Sequence, residues 1–312
     1  MTIFNVGGGG GGLTFKDMTS GLYEIKANDW GNYFTQIYDD MFRGDALLQK
    51  ITIPSGFTKI KSSAFHNAIN LEEVTIPNTI TEIEMNAFYD CKKLDNVVIP
   101  DSVTTLATDI FNGCSGLTDA TLPSNLTVIP NNMFASCINL EDIVFPNTVT
   151  QIGAGSFYFC AKLGTINIPS GVTSIGNNAF QNCSLLQNLT LPNVLTSIGT
   201  STFSSCSSFT DITIPNSVTS LGSSAFSACR KVASLTIDNN ASLSISNYAF
   251  RYIGQETTGC VVTMLGSTPP TIQANTFNNH NISKIIVPQG SLTAYQTATN
   301  WSALASLMEE AA

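Results

Sequence analysis

Short runs of alternating apolar and polar residues recur along most of the chain, and each run ends at a proline. Residues 51–53 (Ile-Thr-Ile) precede Pro54, and residues 212–214 (Ile-Thr-Ile) precede Pro215. Because apolar, β-branched residues alternate with polar ones, each run predicts a short β-strand with one buried face. Proline then ends the strand, since it has no N–H to donate to a neighbouring strand.

The pattern repeats every 23 residues. Four columns stay in phase: prolines from Pro54 to Pro215, phenylalanines from Phe42 to Phe226, threonines from Thr35 to Thr219 and cysteines from Cys91 to Cys229. One unit of this length cannot bury its own apolar face, so neighbouring units must stack. The sequence therefore predicts a stack of about ten coils, each with a strand, a polar turn and a short helical or 3₁₀ turn that carries the phenylalanine.

The segment "IPNSVTSLGSSAFSACRKV" (residues 214–232) resembles the BspA-type leucine-rich repeats of bacterial surface proteins. The resemblance covers roughly residues 22–301, and the ending "IIVPQGSLTAYQTATNWSAL" also resembles the closing segment of that family. It implies a right-handed leucine-rich-repeat solenoid of the α/β horseshoe class, mainly β, with a parallel sheet along one side and short turns on the other. It also implies a non-enzymatic protein that adheres to host or matrix proteins.

The repeat is irregular near both ends, which suggests a division of the chain. Residues 1–19 contain six consecutive glycines and are predicted to be a flexible segment. Residues 20–48 are predicted to be an N-terminal capping coil, with Trp30 covering the core. Regular repeats follow over residues 49–237, irregular ones over 238–288, and a C-terminal capping helix over 289–312.

The charge balance excludes two classes of partner. The chain has 13 Lys and Arg against 22 Asp and Glu, a net charge of −9. Nucleic acids and anionic membrane surfaces both require clustered positive charge, so neither is an expected partner. No apolar run reaches the roughly 18–20 residues of a membrane span, and no signal peptide is visible at the N-terminus.

The cysteine and histidine residues do not predict a catalytic, cofactor or metal site. Stacked coils would place Cys91 to Cys229 in one inward row, with side chains too parallel for disulfides and no C-x-x-C pair for zinc. Buried, unreactive thiols are therefore predicted. Cys260 lies outside the register, and its exposure is left open. His66 is predicted to be an exposed repeat variant and His280 a loop residue; neither has a catalytic motif around it.

The outward positions of the predicted strands are the candidate partner-binding face. They are acidic in the first half of the chain and neutral in the second. The sequence leaves three interpretations open: a solvated sheet, a docking strip for a basic protein, and a calcium site. The candidate residues are Glu73, Asn96, Asp119, Asp142, Asn167, Asn188 and Asp211.

Three functions fit this architecture. The first is a protein-binding or adhesion module at the cell surface or outside the cell, whose partner is an unidentified host, matrix or surface protein. The second is a structural component of an assembly, such as a phage tail or an appendage. The third is an intracellular scaffold, which is compatible with reduced cysteines.

Overall fold

The computed structural model describes residues 35–238 and 242–312. The predicted flexible segment and Trp30 therefore lie outside the described residues. The chain divides into two compact units. Unit 1 contains the chain up to Asn125 together with Met133–Leu140, and unit 2 contains Leu126–Asn132 and Glu141–Ala312. Both are parallel β-solenoids, and the described residues form about 12 coils. A helix of the length and apolarity required to cross a bilayer is absent from these two ranges.

The strands that precede the prolines form the first row of the solenoid. Their side chains alternate between exposed and buried, as in Glu73–Thr75, where only Val74 is buried. Paired residues of the regular coils lie 23 positions apart, as Lys50 and Glu73 do. The strands are Lys50–Thr52, Glu73–Thr75, Asn96–Val98 and Asp119–Thr121 in unit 1, and Asp211–Ile214, Ser234–Ile237, Cys260–Met264, Ile282–Val287 and Met308–Glu310 in unit 2.

Three coils of unit 2 lack the predicted strand in this row. Residues 141–146, 164–169 and 187–192 form no strand ladder. Their inward side chains are still buried, at 2% exposure for Ile143 and 8% for Ile166. Single backbone bonds join these coils, as from the Gly164 N–H to the Glu141 carbonyl at 3.1 Å, but they do not continue as a ladder.

A second row of strands, which the sequence analysis did not predict, follows the threonine column. Each strand has two residues, which is too short for an alternating pattern to be recognised. The strands of unit 1 are Gln36–Ile37, Lys59–Ile60, Glu82–Ile83 and Thr105–Leu106; those of unit 2 are Val128–Ile129, Gln151–Ile152, Ser174–Ile175, Ser197–Ile198, Ser220–Leu221, Ser244–Ile245 and Thr271–Ile272. They form a four-stranded and a seven-stranded parallel sheet.

The phenylalanine segments are hydrogen-bonded turns. Their bonds have 3₁₀ spacing, as from the His66 N–H to the Ser63 carbonyl at 3.0 Å, but the turns do not extend into helices. Further bonds join successive coils, as from the Phe65 N–H to the Ala87 carbonyl at 2.8 Å. Each regular turn has two left-handed residues four positions apart, such as Ser63 and Asn67 with φ of 56° and 59°. Short polar residues and glycine tolerate this conformation best.

Stacked phenylalanine rings run through the core of each unit. In unit 1 the rings of Phe42, Phe65, Phe88, Phe111 and Phe134 stack with centroids 5.0 to 5.6 Å apart. In unit 2 the stack contains Phe157, Phe180, Phe203, Phe226, Phe250 and Phe277, with centroids 5.1 to 5.8 Å apart. The period predicted from the sequence is therefore confirmed as a physical spacing between coils.

The C-terminal segment is less regular than the single predicted helix. It contains an α-helix at Leu292–Thr297, a 3₁₀ helix at Ser302–Leu307 and the last strand at Met308–Glu310. Tyr295 and Trp301 are fully buried, and the Trp301 indole N–H donates to the Pro270 carbonyl at 2.8 Å. The helix is interrupted because Ala298 has an extended backbone, with φ −68° and ψ 146°.

Candidate functional site

The predicted partner-binding residues all lie on the strand face, which we define as the outward side of the first row. All are exposed, while inward neighbours such as Val74 and Val97 are buried. The alternation along each strand therefore fixes the direction in which the polar side chains point. Unit 1 presents Glu73, Asn96 and Asp119, and unit 2 presents Asp142, Asn167, Asn188 and Asp211.

The strand face of unit 1 is less acidic than the sequence analysis indicated. Lys50 Nζ lies 2.9 Å from Glu73 Oε2, and both side chains are about half exposed, at 50% and 55%. This hydrogen bond, together with the charge of Glu73, raises the pKa of Lys50. Lys92 and Lys93 lie beside the same strands. Lys50 therefore neutralises the charge of Glu73 within the protein. Of the predicted acidic residues that unit 1 presents, Asp119 is the one whose negative charge is not offset in this way.

A surface groove of about 970 Å³ opens on the strand face of unit 1. It lies between Glu73–Thr75, which pairs with Lys50–Thr52, and Asn96–Val98, which pairs with Asp119–Thr121. The two strands that flank the groove belong to different sheets. The groove is lined by charges of both signs and by polar and apolar side chains, including those of Lys50, Glu72, Glu73, Lys92, Lys93, Asp95 and Val98.

Two valines project from the strand face into solvent. Val98 in unit 1 is 59% exposed, and Val144 in unit 2 is 77% exposed. Both occupy the outward position where other coils have threonine or asparagine, such as Thr75 and Asn167. Each valine therefore adds apolar contact area to a face that is otherwise polar.

The acidic residues of unit 2 are positioned by local hydrogen bonds. Asp142 Oδ1 accepts the Ile143 N–H at 2.8 Å, and Asp211 Oδ2 accepts the Thr210 hydroxyl at 2.8 Å. A carboxylate has about four acceptor sites, so each retains capacity for a partner. Asn188 has a left-handed backbone, with φ 53°, which asparagine tolerates better than most residues.

The threonine column has a structural role. Within each unit, its hydroxyls donate to the carbonyl of the threonine one coil earlier, at 3.0 Å from Thr58 to Thr35 and at 3.1 Å from Thr196 to Thr173. These bonds join coils at their surface. Within each unit, these threonine hydroxyls are therefore already engaged in bonds between coils.

The fold and repeat pattern match one known protein family. The profile described as "BspA type Leucine rich repeat region (6 copies)" matches residues 35–163 and 127–257. The chain belongs to the BspA-type leucine-rich repeat family. No curated protein gives a significant match to this BspA-type protein.

Two solved bacterial structures with TM-scores of 0.60 share the fold. A leucine-rich repeat protein from Bacteroides ovatus is 19% identical, with a TM-score of 0.60, over 89% of this chain and 88% of that one. The pneumococcal vaccine antigen PcpA is 20% identical, with a TM-score of 0.60, over 84% of this chain and 66% of that one. A leucine rich cell surface protein from Faecalibacterium prausnitzii is 26% identical, with a TM-score of 0.44, over 74% and 77%.

The cysteine column of the BspA-type repeat is buried, as predicted, and Cys260 is buried as well. The thiols make a bond that the sequence did not reveal. Column thiols donate to the carbonyl of a phenylalanine 26 positions earlier within the same unit, for example from Cys91 to Phe65 at 3.1 Å and from Cys206 to Phe180 at 3.1 Å. Burial raises the pKa of Cys91, Cys183, Cys206 and Cys229, and it raises the pKa of Cys260 to about 12.

The buried thiols predict slow labelling of the folded protein. Maleimide should modify all 8 cysteines in guanidinium but react with the native protein only as it opens, because the thiolate is both buried and disfavoured. Thr213→Cys, which places a thiol at an exposed strand position, is the positive control and should add one rapidly labelled site. Rapid native labelling of most of the original thiols, followed by mass spectrometry, would contradict the inward column.

One of the two histidines differs from its predicted environment, while His280 lies outside helices and strands, as predicted. His66 is partly buried, which corrects the prediction of an exposed residue, because its ring stacks on Tyr89 with centroids 4.8 Å apart. Burial and then the charge of Arg43 lower the pKa of His66. His280 Nδ1 accepts the Ile282 N–H at 3.0 Å. Within the described ranges, no group of three or more His, Cys, Asp or Glu residues is arranged to hold a metal ion.

Proposed function

We propose that the chain is a non-enzymatic protein-binding module that uses its strand face to adhere to other proteins. The observation that carries this proposal is the exposure of Val98 and Val144 among the polar residues of that face. Apolar side chains in a polar surround are the composition of a protein interface, in which desolvated apolar contacts supply affinity.

Where the coils of the strand face pair as strands, that pairing supports the same function. Inward side chains anchor each strand, and hydrogen bonds between paired coils fix its register, as between Lys50–Thr52 and Glu73–Thr75. A pre-formed surface loses little conformational entropy when a partner binds. Extended solenoid faces in repeat proteins are commonly used in this way.

Membership of the BspA-type family supports placement at the cell surface or outside the cell. The structurally similar PcpA is named as a vaccine antigen, which is consistent with exposure on a bacterium. A surface location would also bring the strand face into contact with host or matrix proteins.

The exposed aspartates Asp119 and Asp142 test the proposal best, because Glu73 already has a lysine partner. We expect Asp119→Lys/Asp142→Lys to weaken binding to a panel of purified matrix proteins, immobilised for surface plasmon resonance, by about tenfold or more. Repulsion from basic groups of the partner is the physical reason. The melting temperature of the variant should stay close to that of the parent, because both positions are exposed.

A matched control is Asp39→Lys/Asp101→Lys, which makes the same change in net charge at exposed positions outside the strand face. This control should bind like the parent. Equal loss in both variants would show a general effect of charge, and unchanged binding in the strand-face variant would remove the strand face as the site. Failure of the parent to bind any matrix protein would argue against adhesion to matrix.

A further inference from the structure

Three positive charges of unit 2 are grouped in a region that is otherwise poor in charge. Between Lys162 and Lys284, the only lysine or arginine residues are Arg230, Lys231 and Arg251. They lie on two successive coils, Arg230 and Lys231 shortly before the strand Ser234–Ile237 and Arg251 in the turn that follows Phe250. A local positive group on a chain with a net charge of −9 creates a field opposite to that of the remaining surface.

Tyrosine rings hold the two arginines in place. The guanidinium carbon of Arg251 lies 4.4 Å from the ring centre of Tyr252 and 5.4 Å from that of Tyr248, and Arg230 lies 5.4 Å from Tyr252. Arg251 Nη2 also donates to the Tyr252 hydroxyl at 2.5 Å. We call Arg230, Lys231, Tyr248, Arg251, Tyr252 and Gln255 the Arg–Tyr patch. Cation–π contacts restrict the arginine side chains before any partner arrives.

The patch includes an insertion in the repeat. Paired residues are 23 positions apart in the regular coils, but Ser234 pairs with Val261, 27 positions later. The enlarged loop carries Gln255, whose Oε1 accepts from Arg230 Nη1 at 3.1 Å and whose Nε2 donates to the Asn279 carbonyl at 3.0 Å. Insertions in repeat proteins commonly lie on the binding face.

The two tyrosines of the patch have an unfavourable backbone conformation. Tyr248 and Tyr252 have φ of 62° and 61°. In every other regular turn that the structure describes, at least one of the two left-handed positions is Gly, Asn, Asp or Ser. Bulky residues rarely adopt this conformation, and such strain is concentrated at functional positions. The strain therefore points to a function for these rings beyond packing.

The chemistry of the patch fits a carboxylate-bearing protein segment. Arginine presents a planar fork of donors that matches a carboxylate, and Arg230 and Arg251 are both partly exposed. Arginine and tyrosine are also enriched among the residues that dominate binding energy in protein interfaces. A dense polysulfate is held mainly by the number of cations that it meets, and the patch offers three.

We propose that the Arg–Tyr patch is a second interaction surface of this protein, built from other residues than the candidate residues of the strand face, and that it binds an acidic segment of a partner protein. The guanidinium groups of Arg230 and Arg251 contact the carboxylates, and the rings of Tyr248 and Tyr252 contact the apolar parts of the segment. Lys231, which is exposed, strengthens the encounter.

Binding of a fluorescein-labelled random copolymer of glutamate and tyrosine tests the proposal with the full chain. We expect anisotropy to report binding that weakens with added salt. Arg230→Gln/Lys231→Gln should lower the affinity by about tenfold or more, because charge-assisted hydrogen bonds are lost. Lys162→Gln/Lys284→Gln removes two exposed charges of the same unit outside the patch, and it should bind like the parent.

An additional variant and a competing ligand distinguish loss of folding from loss of binding. Arg251→Lys keeps the charge but loses the planar fork, so weaker copolymer binding with an unchanged melting temperature would support the proposal even if the double variant does not fold. Equal affinity in the parent and the patch variants would overturn it. Tighter binding of heparin than of the copolymer, lost in the same variants, would also overturn it by identifying a polysulfate site.

Discussion

Replacing Phe180 with alanine is expected to destabilise the protein by about 3–5 kcal/mol. The ring is fully buried, and it stacks between Phe157 and Phe203 with centroids 5.2 and 5.4 Å away. Alanine would leave a cavity that neighbouring coils cannot fill, because their own rings are held in the same stack. The free energy of unfolding, measured by guanidinium titration with circular dichroism, provides the test.

Phe159→Ala is the matched control in the same unit. This ring is 44% exposed, and its backbone is left-handed with φ 63°, a conformation that alanine must adopt at the same cost. The expected change is below about 1 kcal/mol. Losses of equal size in the two variants would show that the phenylalanine column does not stabilise the solenoid through its core.

The core of this fold could be predicted from the sequence because stacked repeats place residues 23 positions apart at equivalent places in successive coils. Residues such as Phe88, Cys114 and Leu140 recur at fixed places in the repeat, and all three are fully buried. The alternation of the first-row strands likewise predicted that Asp119 points outward while Ala120 is buried. Both predictions depend only on a repeat that cannot bury its apolar residues without a neighbour.

Features that depend on spacing between coils could not be predicted. The second row of strands consists of two-residue pairs such as Ser174–Ile175, which have no recognisable pattern until the coils stack. The missing strands at residues 141–146, 164–169 and 187–192 have the same apolar alternation as the strands that form, so their sequence does not distinguish them. Hydrogen bonding in a ladder responds to distances of tenths of an ångström, which a repeat pattern does not encode.

The side-chain contacts of the candidate sites could not be predicted from the sequence either. Outward orientation of Glu73 was predictable from alternation, but its pairing with Lys50 depends on side-chain geometry across two coils. The Arg–Tyr patch was not predicted, although its signal was present as the expanded loop "RYIGQETTGC" at residues 251–260. An interruption in an otherwise regular repeat indicates where to look, and only the structure shows which side chains it joins.

Replacing Gly222 with alanine is expected to destabilise the protein by about 3 kcal/mol. A Cβ at this position would lie 2.5 Å from the Gly199 carbonyl carbon and 2.5 Å from the Thr200 nitrogen, and 2.7 Å from the Gly199 oxygen. All three are backbone atoms of the preceding coil, so no side chain can rotate away. The coils must separate or the turn must deform, and each coil contacts the next through the same ladder.

Gly171→Ala provides the comparison for Gly222→Ala within unit 2, because the nearest atom to its Cβ is the Val149 oxygen at 3.8 Å, an ordinary contact. This variant should be unchanged or slightly more stable than the parent, by about 0.4–1 kcal/mol, since alanine restricts the unfolded chain. The two substitutions add the same methyl group. Changes of opposite sign in the free energy of unfolding would therefore show that the loss at Gly222 comes from the close approach of the coils. Equal effects would mean that the coils at Gly222 can move apart at little cost, and the tight spacing inferred from the stacked rings would then be wrong.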